Sequence, residues 1–93
     1  MCGCSGIIGH QNSRKLAVDI IKRLSYRGYD SFGVSTLTQD NKLERFVCLK
    51  EEELDNCDFK GNISISHCRW ATTSKATLVN SHPHIGSHKN SKY

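Results

Sequence analysis

Ninety-three residues, 37% of them apolar and with a net charge of +4, suit one small domain that buries only about 60–65% of its unfolded surface. No basic stripe with interleaved aromatics marks a nucleic-acid module, no apolar run reaches the roughly 18 residues of a membrane span, and nothing before Cys2 has the charged and apolar regions of a signal peptide. Five cysteines (Cys2, Cys4, Cys48, Cys57, Cys68) without an export signal read as free thiols of a reducing, cytoplasmic setting rather than as a disulfide framework.

In chain order, Gly3 to Gly9 reads as a short glycine-rich strand, weak unless its backbone must approach something closely. Asn12 or Ser13 is suited to cap a helix running to about Arg27. Leu16, Ala17, Ile20, Ile21 and Leu24 recur at spacings of three and four and predict its buried stripe. Basic Arg14, Lys15, Lys22, Arg23 and Arg27 read as its solvated face, and Gly28 suits the position just past its end. Phe32 to Thr38 predicts a strand, Gln39 to Lys42 a turn, and Leu43 to Leu49 the antiparallel partner. Glu51 to Asn56 reads as a short helix or acidic loop. Asn62 to Cys68 alternates apolar and polar residues, as a half-buried strand does, and Cys48 reads as a small buried hydrophobe. Past Trp70 the periodicity is lost, and Ser87 to Tyr93 forms a polar end with no evident packing partner. A helix followed by antiparallel strands makes the fold α+β.

The strongest chemical signal is Cys2. Removal of Met1 would leave a thiol and a free α-amine on one terminal residue, and such an amine is basic enough near neutral pH to take the thiol proton without a separate histidine. Cys2-x-Cys4, Cys68 and His82-x-His84 raise a metal site as a competing reading. Structural zinc favours gaps of about two to four residues between paired cysteines, so no metal and no cofactor are expected here.

Three segments carry a resemblance. They are Cys2-Gly3-x-x-Gly6, then Arg23-Leu24-x-Tyr26-Arg27-Gly28-Tyr29-Asp30-Ser31-x-Gly33, and finally His67-x-Arg69-Trp70-Ala71-Thr72 followed by Asn80-x-His82-Pro83-His84. In order and approximate spacing the chain resembles class II glutamine amidotransferases, the amino-terminal-nucleophile glutaminases. Its middle and third segments are most similar to the glutaminase half of glutamine–fructose-6-phosphate aminotransferases. The resemblance implies a layered αββα fold, incomplete at the carboxyl end, with residues 1–93 as the amino-terminal portion of the glutaminase domain and the synthase domains absent. It implies that Cys2 attacks the side-chain amide of glutamine, releasing ammonia and leaving a thioester for water to hydrolyse.

The same resemblance assigns Arg69 to the substrate α-carboxylate, which a planar guanidinium grips with two parallel hydrogen bonds. Thr72 becomes a polar substrate contact, Trp70 a gate on the ammonia path or a core residue, and the His82-Pro83-His84 loop a neighbour of the substrate pocket. Arg27, Tyr29 and Asp30 read mainly as scaffold. Thr73 and Ser74 depart from the pattern, as do Cys4 and Ser5, and a downstream Asn-Gly pair and aspartate of the family are missing before Tyr93. The implied partners are glutamine and either a full-length relative or the missing synthase half. A non-catalytic fragment that pairs through open sheet edges with a full-length relative is the alternative.

Overall fold

The computed structural model describes residues 2–24, 30–69, 81–89 and 91–92. Its elements are β1 (Gly3–Ile8), α1 (Ser13–Leu24), β2 (Ser31–Thr38), β3 (Leu43–Cys48), a 3₁₀ helix (Glu51–Asn56), β4 (Gly61–Arg69) and two short strands, β5 (Ser87–His88) and β6 (Ser91–Lys92). The four long strands form one antiparallel sheet in the order β1-β4-β2-β3, so β4 is inserted between the first two strands of the chain. The expected strands and turn are all present, with ends shifted by a residue. The proposed helix end at Arg27 and Gly28 lies outside the described residues. The polar end does find a partner: β5 and β6 pair as a small antiparallel ladder, with Lys89 between them at φ 48. A ladder this short rests on backbone hydrogen bonds, which leave no apolar alternation in the sequence to read.

α1 packs on one face of the sheet, against β1, β4 and β2. Its buried residues are Ser13, Ala17, Val18 and Ile21, with Leu24 partly buried against the core. The stripe is therefore rotated from the expected one: Leu16 and Ile20 sit at its flanks and Val18 takes their place. The cause is beneath the helix, where β4 presents Ser64 and Ser66, both buried. Small Ser13 and Ala17 let the helix lie close enough to hydrogen bond with them. Ser66 Oγ donates to the Ala17 carbonyl at 3.0 Å, and Ser13 Oγ and Ser64 Oγ are 2.7 Å apart. The apolar core lies to one side, built from Val18, Ile21, Phe32, Val34, Cys48, Leu54, Cys57 and Cys68. Lys22 reaches Asp55 on the 3₁₀ helix at 2.5 Å, an exposed pair of the kind that contributes little to stability.

Hydroxyl groups carry a directed chain through this layer. Ser13 Oγ donates to the Gly61 carbonyl at 2.7 Å. A hydroxyl has one hydrogen, so Ser64 must donate to Ser13, and Thr36, at 2.7 Å, must donate to Ser64. By the same rule Ser5 donates to Ser66, whose own hydrogen goes to Ala17.

β4 alternates as expected, but its faces are inverted. The serines point to the helix, and Ile63 and Ile65 stand 40% and 49% exposed on the opposite face. Register places Ile63 between Ile8 (82% exposed) and Leu37, with Leu43 beyond. One apolar row thus crosses all four strands on the face away from the helix. An apolar patch of this kind marks an interaction surface rather than an ordinary solvated face.

Candidate functional site

The far end of that same face is polar. Moving along the sheet from the apolar row, the next rung holds Gly6, Ile65, Ser35 and Arg45, and the rung one pair further holds Cys4, His67, Gly33 and Val47. Beyond them Ser31 pairs with Arg69, and the last β1–β4 pair is Gly3 with Cys68. Cys2 precedes Gly3 and Arg69 follows Cys68, so both lie at the end of the sheet where this pairing stops. Arg69 is half-buried, its carbonyl accepting the Asp30 N–H at 2.8 Å, while the Cys2 thiol is exposed.

The segment from Ser81 to His84 is laid over this end of the sheet. It crosses β2 at Gly33, where an added Cβ would stand 1.9 Å from the His82 carbonyl oxygen. Only a residue without a side chain leaves room for backbone on backbone at that point. Arg45 pins the segment from β3, with Nη2 donating to the Ser81 carbonyl at 3.0 Å and Nε donating to the Pro83 carbonyl. The His82–Pro83 peptide bond is cis. Ser31 and Ser35, on the outer face of β2, are buried as well, so β2 is shielded on both sides along most of its length.

The crossing brings three imidazoles together. His67 and His82 meet edge to face with ring centroids 4.6 Å apart, and His82 meets His84 at 4.5 Å. Among the described residues, Nδ1 of His67 and of His82 are buried without a hydrogen-bond partner. Burial pushes the His67 pKa below its ordinary value, helped by positive charge on His82, Arg69 and His84. Burial also lowers His82, together with His84, Arg69 and Arg45.

These shifts have a sign that can be tested. A base whose pKa is lowered by folding is held neutral in the native state, so the unfolded chain binds protons first as pH falls. Stability is full above the ordinary histidine value of 6.5 and is lost as pH drops below it toward the folded-state values. We expect the melting temperature to fall between neutrality and mildly acid pH, and to fall less in a His67→Gln variant. A melting temperature independent of pH across that window in the parent chain would rule the arrangement out.

Of the residues expected at the site, the fold brings Cys2, Arg69 and His82 to one end of one sheet face. Trp70 and Thr72 lie outside the described residues. His67 and Arg45 were not assigned roles from sequence. His67 carries a readable signal, since it sits two residues before Arg69 and shares its strand face. Arg45 carries none, because its partners are backbone carbonyls 36 and 38 residues away in sequence. Among the described residues no group of three or more His, Cys, Asp or Glu side chains is arranged to hold a metal ion. None of the described helices is long and apolar enough to cross a membrane. This end of the sheet thus holds an exposed thiol, a half-buried guanidinium and a group of three imidazoles.

No family model matches the chain. Individual proteins do. It is 45% identical over 94 residues to the glutamine–fructose-6-phosphate aminotransferase (isomerizing) of Mesorhizobium japonicum and 42% identical over 91 residues to that of Gluconobacter oxydans. The Staphylococcus aureus enzyme is 38% identical over 91 residues. These alignments take in 90 to 94% of this chain. The chain is a homologue of these aminotransferases. It spans 15% of the length of the relatives it matches.

Solved structures agree on the fold of this aminotransferase homologue. The glutamine phosphoribosylpyrophosphate amidotransferase of B. subtilis superposes with a TM-score of 0.78 at 23% identity, covering 99% of this chain and 20% of that one. A second structure, described as the allosteric regulatory enzyme of purine biosynthesis, gives 0.81 at 23% identity over 99% of this chain and 21% of its own. The α+β arrangement expected from the resemblance is thus the fold of part of each of these two proteins.

Proposed function

We propose that residues 1–93 are the amino-terminal portion of a class II glutamine amidotransferase domain and that Cys2 is its nucleophile. The reaction is hydrolysis of glutamine to glutamate and ammonia, and in the full-length form the ammonia passes to fructose 6-phosphate to make glucosamine 6-phosphate. The observation that supports this reading is the last β1–β4 pair, Gly3 with Cys68, whose chain neighbours Cys2 and Arg69 lie at the same end of the sheet. Arg69 would grip the substrate α-carboxylate, with Thr72 as a further polar contact. The Cys2 sulfur then bonds to the amide carbon, the carbon–nitrogen bond breaks, and the freed α-amine delivers the thiol's proton to the departing ammonia. Water attacks the resulting thioester and glutamate leaves. Trp70 and the His82 loop would border the pocket and the path out of it.

The exposed row Ile8, Ile63, Leu37 supports the domain assignment. A layered αββα fold needs a second sheet on the face away from the helix, and this face is apolar where such a sheet would pack. The same face, together with the outer edges of β1 and β3, favours a second reading in which the chain pairs with a full-length relative without turning over glutamine. Five free thiols suit a reducing cytoplasm in either case.

A glutamine-like diazoketone tests the first reading, with intact mass and peptide mapping as the readout and glutamine as competitor. Loss of Met1 and a glutamine-protected adduct confined to Cys2 are expected. Labelling spread over the five cysteines without protection, or an unmodified Cys2, would defeat the catalytic reading. Comigration of this chain with a full-length relative on size exclusion would then favour the pairing one.

A further inference from the structure

β1 begins beside two exposed thiols, Cys2 and Cys4, with only Gly3 between them. The other three cysteines are shielded: Cys48 is 1% exposed, Cys57 3% and Cys68 0%. Burial also pushes the Cys48 thiol up to about 12 and raises that of Cys57, so both stay protonated and unreactive. A small oxidant in solution therefore meets two sulfurs of five, and they are neighbours. The glutaminase reading gives Cys4 no role.

Two cysteines flanking one residue of a straight strand are too far apart to bond. Two residues of strand span roughly 6.6 Å, whereas a disulfide needs Cβ atoms about 3.5–4.5 Å apart. Here the backbone is free to fold inward between them. Cys2 lies outside β1, whose first residue is Gly3, so Cys2 is not held by the ladder. Gly3 accepts backbone conformations closed to other residues. β1 is also an outer strand, paired to β4 alone. Closing the bridge disturbs the terminal pair, Gly3 with Cys68, and the Cys68 thiol's bond to the Gly3 carbonyl at 3.6 Å, at the very end of the ladder.

We propose that Cys2 and Cys4 form a reversible redox pair, in which a peroxide oxidises Cys2 and Cys4 resolves it as an intrachain disulfide. In the first step the Cys2 thiolate attacks hydrogen peroxide. A sulfur–oxygen bond forms, the oxygen–oxygen bond breaks and hydroxide leaves, giving a sulfenic acid. In the second the Cys4 thiolate attacks the Cys2 sulfur, the sulfur–sulfur bond forms, and the sulfenic oxygen departs as hydroxide. The two thiols give up two electrons, and with their two protons the peroxide becomes two waters. A thiol reductant reverses the bridge. The bridge also prevents further oxidation of Cys2 to the irreversible sulfinic form. Its consequence for activity rests on the proposed function: with Cys2 as nucleophile, the bridged chain is a resting form restored by reduction.

The test is mass spectrometry of the full chain treated with a small excess of hydrogen peroxide, then alkylated and digested with trypsin. The peptide ending at Arg14 contains Cys2 and Cys4 and no other cysteine. It is expected to lose two hydrogens, take up no alkylating agent, and recover both thiols after dithiothreitol. In Cys4→Ser the same treatment is expected to carry Cys2 to a sulfinic acid that dithiothreitol does not reverse. In Cys2→Ser the peptide should show no internal bridge and keep Cys4 open to alkylation. Bridges to Cys48, Cys57 or Cys68, or equal sulfinic acid at Cys2 with and without Cys4, would overturn the proposal. Because the readout is mass, it stands apart from glutamine turnover. A bridge without diazoketone labelling defeats the glutaminase reading alone, and labelling without a bridge defeats this one alone.

Discussion

Gly33→Ala is expected to lower the melting temperature by roughly 10 °C, at about 4–8 °C for each kcal/mol in a domain of this size. The new Cβ would stand 1.9 Å from the His82 carbonyl oxygen, 2.9 Å from its carbon and 3.0 Å from Pro83 Cδ. Overpacking of this sort costs about 1–3 kcal/mol when neighbours are able to adjust. Here the nearest atoms are backbone, and Arg45 holds that backbone at both Ser81 and Pro83, so relief means lifting the whole segment off β2. The lifted segment takes His82 away from His67. The His67 titration should therefore move back toward its ordinary value as the solvent returns, which a merely destabilised sheet would not produce. Gly6→Ala is the control, since its Cβ meets only Ile65 Cγ2, at 4.0 Å. If circular dichroism finds both variants melting alike, the segment does not lie across Gly33.

This crossing also shows what the sequence could and could not disclose. Period-two and period-four patterns placed the strands and α1, because local backbone geometry writes itself into residue spacing. The motif order was also legible, and it puts Cys2 and Arg69 next to Gly3 and Cys68, the last pair of the β1–β4 ladder. The choice of face was not. Ser64 and Ser66 read as the wet side of β4, yet they are the buried side, since they answer hydroxyls and carbonyls on other elements that no local pattern reveals. Ile63 and Ile65, the apolar members of the same alternation, read as core, yet they face outward. Val18 entered the helix stripe for the same reason: the helix settles on small serines, and that fixes its rotation. Gly33 was legible as part of a motif, but its physical necessity depends on a segment about fifty residues later in the chain.

The buried serines give the second large effect. In the chain that runs from Thr36 through Ser64 and Ser13 to the Gly61 carbonyl, every hydroxyl hydrogen is used once. Ser64→Ala deletes the middle member. It leaves the Thr36 hydroxyl, which is fully buried, with a hydrogen and nowhere to place it, at a cost of about 1–3 kcal/mol for an unsatisfied buried group. Thr36→Val removes a donor from the start of the chain while Ser64 keeps its bond to Ser13, so the loss is a single ordinary bond of about 1 kcal/mol. In the double variant the orphaned donor no longer exists. The double variant should therefore be less destabilised than the sum of the two single variants, and Ser64→Ala should be milder on the Thr36→Val background than alone. Urea unfolding of the four proteins measures this directly. Additivity within about 0.3–0.5 kcal/mol, the behaviour of independent sites, would mean that the two hydroxyls are not coupled. Coupling well above the roughly 1 kcal/mol of one shared bond is what a donating Thr36 predicts, because a Thr36 that donates is orphaned when Ser64 is removed.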